Sequence, residues 1–234
     1  MSIFAISDLH LSFSDEKKSM EVFEGWAGYT EKLKENWVKK IKDKDTVVIV
    51  GDISWAMTLE NAKDDLKFIN DLPGKKILIK GNHDFWWNTS KKVNDFLKEN
   101  NFDSISILYN SALEAESICI CGSRGWMFKC ETEQDKKVFM RELGRIERSI
   151  DQAYALKNAS PVVFLHYPPV YANEESEEII NLLIEKKVKR CYYGHIHGGM
   201  AAKKAVQGNY KGIDFKLVSC DYLNFCPVAV VNKI

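Results

Sequence analysis

The sequence lacks a net charge and lacks long apolar runs. Lysine plus arginine and aspartate plus glutamate each number 33 among 234 residues, so the formal charge is zero. A balanced charge gives no whole-molecule argument for a nucleic-acid partner or an anionic membrane surface. No segment approaches the ~20 apolar residues that a membrane helix requires. We therefore expect no membrane association, and nucleic acid is not indicated as a partner.

Signals for export and for a disulfide scaffold are also missing. The first eight residues, Met-Ser-Ile-Phe-Ala-Ile-Ser-Asp, have neither the basic start nor the long apolar run of a signal peptide. The six cysteines show no Cys-x-x-Cys spacing, and several lie in apolar runs typical of strands. At this chain length we expect reduced, buried thiols in a cytoplasmic protein.

The chain shows no internal repeat, low-complexity tract or Pro/Gly-rich linker, so we expect one domain over residues 1–234. Short apolar runs rich in β-branched residues alternate with longer amphipathic segments, which predicts strands alternating with helices. Strands are predicted at Ile3–Ser7, Thr46–Val50, Lys76–Lys80, Ser104–Leu108, Ser117–Gly122, Pro161–Leu165, Arg190–Tyr193, Phe215–Ser219 and Pro227–Val231.

The longest amphipathic segment, Glu133–Leu156, predicts a helix because its apolar residues recur at helical spacing. Thr132, followed three residues later by Asp135, resembles a capping box at its start. The alternation predicts an α/β layered fold, and two stacked sheets would also accommodate the antiparallel pattern after Gly208. Shorter helices are predicted at Glu31–Lys40, around Leu59, Ala62, Leu66 and Ile69, at Lys91–Lys98 and around Ile179–Ile184.

Polar side chains directly follow five of the predicted strands. In α/β folds ligands bind at the carboxyl ends of strands, so we expect these five ends to converge. Each end carries carboxylate, amide or imidazole groups. The five motifs are Asp8-Leu9-His10, Gly51-Asp52, Gly81-Asn82-His83-Asp84, His166 and Gly194-His195-Ile196-His197-Gly198.

These residue types favour a metal cluster. Imidazole, carboxylate and amide oxygen together suit Mn, Fe, Zn or Co, and the absence of thiolate argues against a structural zinc. There are too many ligands for one ion, but they suffice for two ions that share a bridging carboxylate. A lone histidine is usually a hydrogen-bonded core or surface residue, yet all five histidines of the chain fall in these motifs.

In this order the motifs resemble those of the calcineurin-like metallophosphoesterase superfamily. The segments Gly51–Met57, Lys80–Trp87 and His166–Pro169 further resemble a bacterial branch of predicted phosphohydrolases. The resemblance implies a four-layer α/β/β/α sandwich, with two stacked mixed sheets and helices on the outer faces. It also implies a phosphohydrolase that cleaves a phosphodiester or a phosphomonoester by in-line attack of a hydroxide bridging two metals.

The resemblance also assigns roles around two divalent transition-metal ions (Mn, Fe or Zn), with Asp52 as the bridge. His83 would be the catalytic residue that handles the proton beside the metals. The first ion would be held by Asp8, His10, Asp52 and His197. The second would be held by Asp52, Asn82, His166 and His195.

One departure from the family pattern concerns the partner of His83. Many members read Gly-Asp-x-x-Asp, and the second Asp orients the catalytic histidine, whereas this chain has Trp55 there. An indole only donates, so Trp55 cannot accept a hydrogen bond from an imidazole. Asp84 or a backbone carbonyl would have to do so. The arginine that follows in protein Ser/Thr phosphatases is also missing, which weighs against that branch.

Other features allow two interpretations. Arg124 could form a bidentate contact with a substrate phosphate. An arginine exposed in a surface turn is an equally good interpretation. For the tryptophans that follow the motif loops, core packing is favoured over stacking on a base. Arginines on the long predicted helix are interpreted as a solvated face, and Ser219-Cys220-Asp221 has no assigned role. The tryptophans are Trp55, Trp86, Trp87 and Trp126, and the arginines are Arg141, Arg145 and Arg148.

The expected partner is a small phosphorylated substrate. A non-catalytic interaction scaffold on the same fold is the alternative from another class, but a scaffold has no need of His83 or a complete ligand set. A nuclease is a further alternative, for which a basic groove or an added DNA-binding segment is expected and neither is seen. The substrate, the metal and the oligomeric state stay open.

Overall fold

The computed structural model describes residues 1–116, 118–126, 130–156 and 160–230. Within these ranges the strands are β1 Ile3–Ile6, β2 Thr46–Val50, β3 Lys75–Ile79, β4 Ile105–Ile107, β5 Leu113–Ala115, β6 Ile118–Ser123, β7 Ser160–Leu165, β8 Val170–Tyr171, β9 Glu174–Glu175, β10 Arg190–Tyr193, β11 Gly208–Tyr210, β12 Ile213–Leu217 and β13 Val228–Ala229. The α-helices are α1 Tyr29–Lys40, α2 Lys63–Asp71, α3 Ser90–Glu99, α4 Glu133–Ala155, α5 Glu177–Glu185 and α6 Gly199–Ala202. None of these helices combines the length and the apolar character needed to cross a membrane.

Two large mixed sheets organise the chain. The first has the strand order β13-β1-β2-β3-β4, and the second has the order β11-β12-β10-β7-β6-β5. In the first sheet β1 to β4 are parallel and β13 is antiparallel. In the second, β6, β7, β10 and β12 are parallel, whereas the edge strands β5 and β11 are antiparallel. The parallel strands of each sheet therefore end at one common edge.

Alternating side chains give each sheet two buried faces. In β1, Ile3 and Ala5 belong to an apolar cluster that contains residues of both sheets, whereas Phe4 and Ile6 pack with helices. Helices α1, α2 and α3 contribute to the cluster on the outer side of the first sheet, and α4 and α5 to that of the second. The α/β class with two mixed sheets and helices is thus confirmed.

The predicted helices are found, with shifted ends. The capping box at the start of α4 is present, because the Thr132 hydroxyl accepts the Asp135 N–H at 3.1 Å and the Asp135 carboxylate accepts the Thr132 N–H at 3.0 Å. Leu59 and Ala62 are predicted as part of a helical stripe, but they lie in turns before α2.

The strand predictions miss only short elements among the described residues. The strands β5, β8, β9 and β11 have two or three residues each, too few for an alternating pattern to stand out. Ser117, where one predicted strand begins, and Val231, where another ends, lie outside the described residues.

The two sheets are joined at the edge where the parallel strands end. The Ser7 N–H donates to Val218 O at 2.8 Å, and the Cys220 N–H donates to Ser7 O at 2.9 Å. This pairing ties the end of β1, in the first sheet, to the segment that follows β12 in the second. The loops after the strands of both sheets consequently face a common space.

Candidate metal centre

The loops after β1, β2, β3, β7 and β10 bring their polar side chains into one cluster, so the predicted convergence is observed. Two groups of three residues each have ligand atoms within 4.8 Å of one another. Asn82 adjoins the second group, because its Oδ1 lies 2.7 Å from Nε2 of His166. The first group is Asp8, His10 and His197, and the second is Asp52, His166 and His195.

Asp52 lies between the two groups. Its Oδ2 is 3.8 Å from Nε2 of His10 and 3.3 Å from Nε2 of His166, one imidazole from each group. Its Oδ1 accepts the backbone N–H of His83 at 2.7 Å. One oxygen is therefore fixed by the backbone while the other is directed between the groups, which is the position that a bridging carboxylate needs.

The backbone is strained at the residues of the cluster. Asp8, His10, Asp52 and His195 have φ values of 61°, 46°, 50° and 71°. This left-handed region costs a non-glycine residue about 1–3 kcal/mol, and such strain concentrates at functional sites. Hydrogen bonds hold it in place: the Asp8 N–H donates to Gly51 O at 2.9 Å, and the His10 N–H donates to Asp52 O at 3.0 Å.

Two glycines permit the close approach of these loops. A Cβ on Gly81 would lie 2.1 Å from the backbone nitrogen and Oδ1 of Asp52. A Cβ on Gly194 would lie 2.0 Å from Oγ of Ser7 and 2.6 Å from Oδ2 of Asp8. The glycines of the Gly-Asn-His and Gly-His-x-His motifs are therefore needed because backbone and side chains of neighbouring loops occupy the space of a side chain.

The donor set around His166 fits a divalent cation. Nδ1 of His166 lies 3.0 Å from the carbonyl oxygen of Val50, so Nδ1 carries a proton. Burial opposes charge on this ring, but Asp52 raises the pKa of His166, and Nε2 presents a lone pair once the ring is neutral. That Nε2 faces Oδ1 of Asn82 and Oδ2 of Asp52 at 2.7 and 3.3 Å. Three acceptor atoms thus converge, and a bound cation would satisfy all three.

Burial and neighbouring charges keep most ligand side chains of the cluster deprotonated, as metal binding requires. Burial lowers the pKa of His10 to about 4 and that of His195 to about 4, so both imidazoles are neutral at pH 7. Although burial opposes ionisation, His197 and the other imidazoles nearby hold the pKa of Asp8 well below its usual range. Burial likewise opposes charge on His197, but Asp8 and Asp221 raise its pKa to about 10. Because only the deprotonated imidazole ligates, a metal ion would displace that proton.

Asp221 is a site residue that the sequence analysis misses. Its Oδ1 lies 3.1 Å from Nδ1 of His197, and its Oδ2 accepts the Gly198 N–H at 2.8 Å. It thereby orients His197 so that Nε2 faces Oδ1 of Asp8 at 3.4 Å. The neighbouring Cys220 donates from Sγ to the Asp8 carbonyl at 2.9 Å, so the unassigned Ser-Cys-Asp segment supports the cluster.

Asp221→Asn is expected to weaken metal binding by about 10- to 100-fold, the usual effect of removing a carboxylate behind a histidine ligand. The variant loses the charge that sets the tautomer of His197 but keeps its size. Metal titration of the purified protein measures the change. Asp214→Asn, on the exposed side of β12, is the matched control and should bind metal as the unmodified chain does. Equal affinity in both variants would remove Asp221 from the site.

His83 lies beside the cluster, half-buried. Its ring centroid is 5.7 Å from that of His10 and 4.3 Å from that of Trp55. The Trp55 ring also stacks on His10 at 4.7 Å with an interplanar angle of 21°. Trp55 therefore contacts both imidazoles through its ring. Trp55 lines the site, whereas Trp86 and Trp87 are buried as core packing predicts.

Asp84 does not orient His83. Its two oxygens accept hydrogen bonds from the loops after β2 and β3, so the carboxylate fastens these loops together. Burial, reinforced by the charge of Asp52, raises the pKa of Asp84 to about 6. The donors are the N–H groups of Ile53, Ser54 and Gly81 and the Trp86 indole, at 2.8, 3.2, 2.7 and 3.0 Å.

A cavity of about 360 Å³ opens over the cluster. The less buried members of the site, His83, His195 and His197, form its floor, and Phe23 and Trp26 contribute apolar walls. The volume is within the ~300–1,000 Å³ typical of small-molecule sites.

Arg124 is not part of this cavity. It follows β6, and its carbonyl oxygen accepts the Tyr167 N–H at 2.8 Å. Its guanidinium lies 5.6 Å from the ring centroid of Trp126, and the residue lines a second cavity beside the cluster. The predicted metal ligands and His83 are thus brought together, whereas Arg124 stands apart from them.

Comparison with known proteins identifies the family. The family model for calcineurin-like phosphoesterases matches residues 1–199, so the chain belongs to that family. The comparison with curated proteins gave no match.

Two solved structures show the same fold. One is a protein of unknown function from Aquifex aeolicus, with 19% identity, a TM-score of 0.53, and coverage of 97% of this chain and 95% of that one. The other is phosphopantetheinyl hydrolase from Mycobacterium tuberculosis, with 13% identity, a TM-score of 0.53, and coverage of 99% and 96%. At these identities the likeness is one of fold alone.

Proposed function

We propose that this chain is a phosphoester hydrolase with two divalent metal ions in the cluster. The observation that carries the proposal is Oδ2 of Asp52, which lies between His10 and His166 of the two ligand groups. Membership of the family supports a metal-dependent phosphoesterase in general. The first ion would contact Asp8, His10, Asp52 and His197, and the second Asp52, Asn82, His166 and His195.

The charge of the cluster suits an anionic substrate. Two divalent ions carry four positive charges, and the carboxylates of Asp8 and Asp52 return two. When bound, such a pair of ions activates a water molecule and stabilises the oxygens of an in-line displacement at phosphorus. The residues of the two ligand groups would hold the ions, and the cavity over the cluster would leave them open to a substrate.

His83 is proposed as the proton donor to the leaving oxygen. It borders the cavity, and its backbone N–H is fixed on Asp52, so the ring is placed at the edge of the ligand groups. The face of Trp55 and the ring of His10 restrict its orientation. A histidine in this position can protonate an alkoxide as it leaves.

We expect phosphodiesters to be cleaved at least as well as phosphomonoesters. The second aspartate of many relatives is replaced by Trp55, and the arginine of the protein phosphatases is missing. Bis-nitrophenyl phosphate, nitrophenyl phosphate and a phosphoserine peptide, assayed with Mn, Fe or Zn, test the expectation. Cleavage of the peptide without any diester cleavage would overturn it.

A further inference from the structure

A second cavity of about 170 Å³ lies beside the metal cluster, at the same edge of the sheets. Its walls come from the ends of β3, β4 and β6 and from helix α4. The metal ligands follow β1, β2 and β3 in one sheet and β7 and β10 in the other. In the observed strand orders the second cavity is therefore displaced from the metal ligands by one to two strands, which corresponds to about 5–10 Å.

Three cationic side chains line this cavity. Lys80 comes from the loop that leads to Asn82, Arg124 from the turn after β6, and Arg145 from α4. The one carboxylate among the lining residues, Glu142, is buried and already engaged: its Oε2 pairs with Arg145 at 2.9 Å, and its Oε1 accepts the Ser123 hydroxyl at 2.6 Å. The Lys80 ammonium donates to the neutral Trp87 carbonyl at 3.0 Å, so the positive charge of Lys80 and Arg124 has no carboxylate counter-ion among the residues that line the cavity.

Trp87 also borders this cavity. It is 3% exposed, yet its indole N–H has no hydrogen-bond partner among the described residues. Buried donors without partners are rare in folded proteins, and each one calls for an explanation. The indoles of Trp55 and Trp126 also lack partners among the described residues, so the feature of this cavity that favours an anionic group is the positive charge of Lys80 and Arg124.

Tyr167 contacts both the metal cluster and the turn that carries Arg124. Its N–H donates to the Arg124 carbonyl at 2.8 Å, and its ring packs edge-on against His195 at 4.5 Å. A substrate that extends from the metal cluster past Tyr167 would approach Arg124, which lines the second cavity. With about 170 Å³, this cavity is smaller than the ~300–1,000 Å³ of pockets that hold whole ligands, so it suits a single group.

We propose that the cavity lined by Lys80, Arg124 and Arg145 binds a second anionic group of the substrate. The substrate is then a phosphoester with a further phosphate or carboxylate about 5–10 Å from the scissile phosphorus. This inference rests on the proposed function, since it specifies the substrate of that same site.

The test uses two nitrophenyl phosphodiesters that differ at the end of one alkyl arm. The arm ends in a phosphonate in one and in a hydroxyl in the other. The unmodified chain is expected to show a KM about 10- to 100-fold lower for the phosphonate, the effect of one charge-assisted hydrogen bond. In Arg124→Met the ratio of the two KM values should fall towards one. Arg148→Met, on an exposed position of the same helix as Arg145, should keep the ratio.

A binding experiment tests whether the cavity holds an anion without requiring catalysis. Metal-free protein is titrated with propylphosphonate while the indole N–H signal of Trp87, assigned with Trp87→Phe, is followed by NMR. A saturable shift is expected in the unmodified chain and in Arg148→Met, and its loss is expected in Arg124→Met. If neither ester is cleaved, the proposed function fails, while this titration still decides on the cavity.

Two results would overturn the proposal that this cavity binds a second anionic group of the substrate. The first is the absence of any saturable Trp87 shift. The second is a Trp87 shift together with equal KM values for the two esters, which would make the cavity a site for free anions and not for the substrate.

Discussion

Asp52→Asn is expected to release both metal ions together. The carboxylate has one oxygen between the two ligand groups, so its charge serves both ions, and an amide of the same size removes that charge. Phosphodiester hydrolysis should fall by about 10²–10³-fold or more, because bound metals contribute several kcal/mol of transition-state stabilisation. Metal content per chain and hydrolysis rate are measured on the same preparation.

Asp45→Asn is the matched control for that variant. Asp45 is a buried carboxylate immediately before β2, whereas Asp52 follows the same strand. It accepts the N–H groups of Ser2 and Lys42 at 2.7 and 2.9 Å, far along the strand from the cluster. Both variants lose a buried charge, but only Asp52→Asn should lose metal. Retention of one ion at full occupancy in Asp52→Asn would contradict the bridging assignment.

His83→Ala is expected to lose far more rate on an alkyl ester than on a nitrophenyl ester. General acid catalysis contributes about 10²–10⁴-fold, and its value depends on how much the leaving oxygen needs a proton. An alkoxide needs one, whereas a nitrophenolate leaves readily as an anion. Metal content should be retained, since His83 is not assigned as a ligand. The two rate constants and the metal content are obtained from one purified variant.

Phe85→Ala separates the chemical role of His83 from its packing. Phe85 lies in the same loop, is 56% exposed, and contacts the His83 ring at 6.1 Å between centroids. Removing this ring should change both esters by the same small factor. Equal losses on both esters in His83→Ala would assign the residue to binding or charge stabilisation. Loss of a metal ion would make it a ligand and would require new roles for Asn82 and His83.

The convergence of the site could be predicted from the sequence because parallel strands fix where their ends lie. Asp8, Asp52 and His166 each follow an apolar run, and the sheets bring all three to one edge. The main helices and strands could be predicted from the periodicity of their hydrophobic residues. The strands β5, β8, β9 and β11 were not predicted, because two or three residues are too few for an alternating pattern.

Contacts between distant loops could not be predicted in this way. Asp221 is separated from the end of β12 by three residues, so it lacks the strand-end signal of the other site residues. The sequence places Asp84 beside His83 but does not show that its oxygens are taken by N–H groups of another loop.

The second cavity could not be predicted from the sequence for a related reason. The helical pattern assigns Arg141, Arg145 and Arg148 to a solvated face, and the first and last are exposed. Arg145 instead pairs with Glu142 opposite the turn after β6. A helical period places Arg145 on one face of α4, but it does not identify Lys80 and Arg124 as its neighbours across the cavity.

The central claim is that two metal ions in this cluster make the chain a phosphoester hydrolase. Titration of the metal-free protein with Mn²⁺, with bound metal and diester hydrolysis measured in the same samples, tests it most directly. The expected result is binding that saturates at two ions per chain, with hydrolysis that appears as the second ion binds. Full hydrolysis with one ion per chain, or two bound ions without cleavage of any phosphoester, would contradict the account.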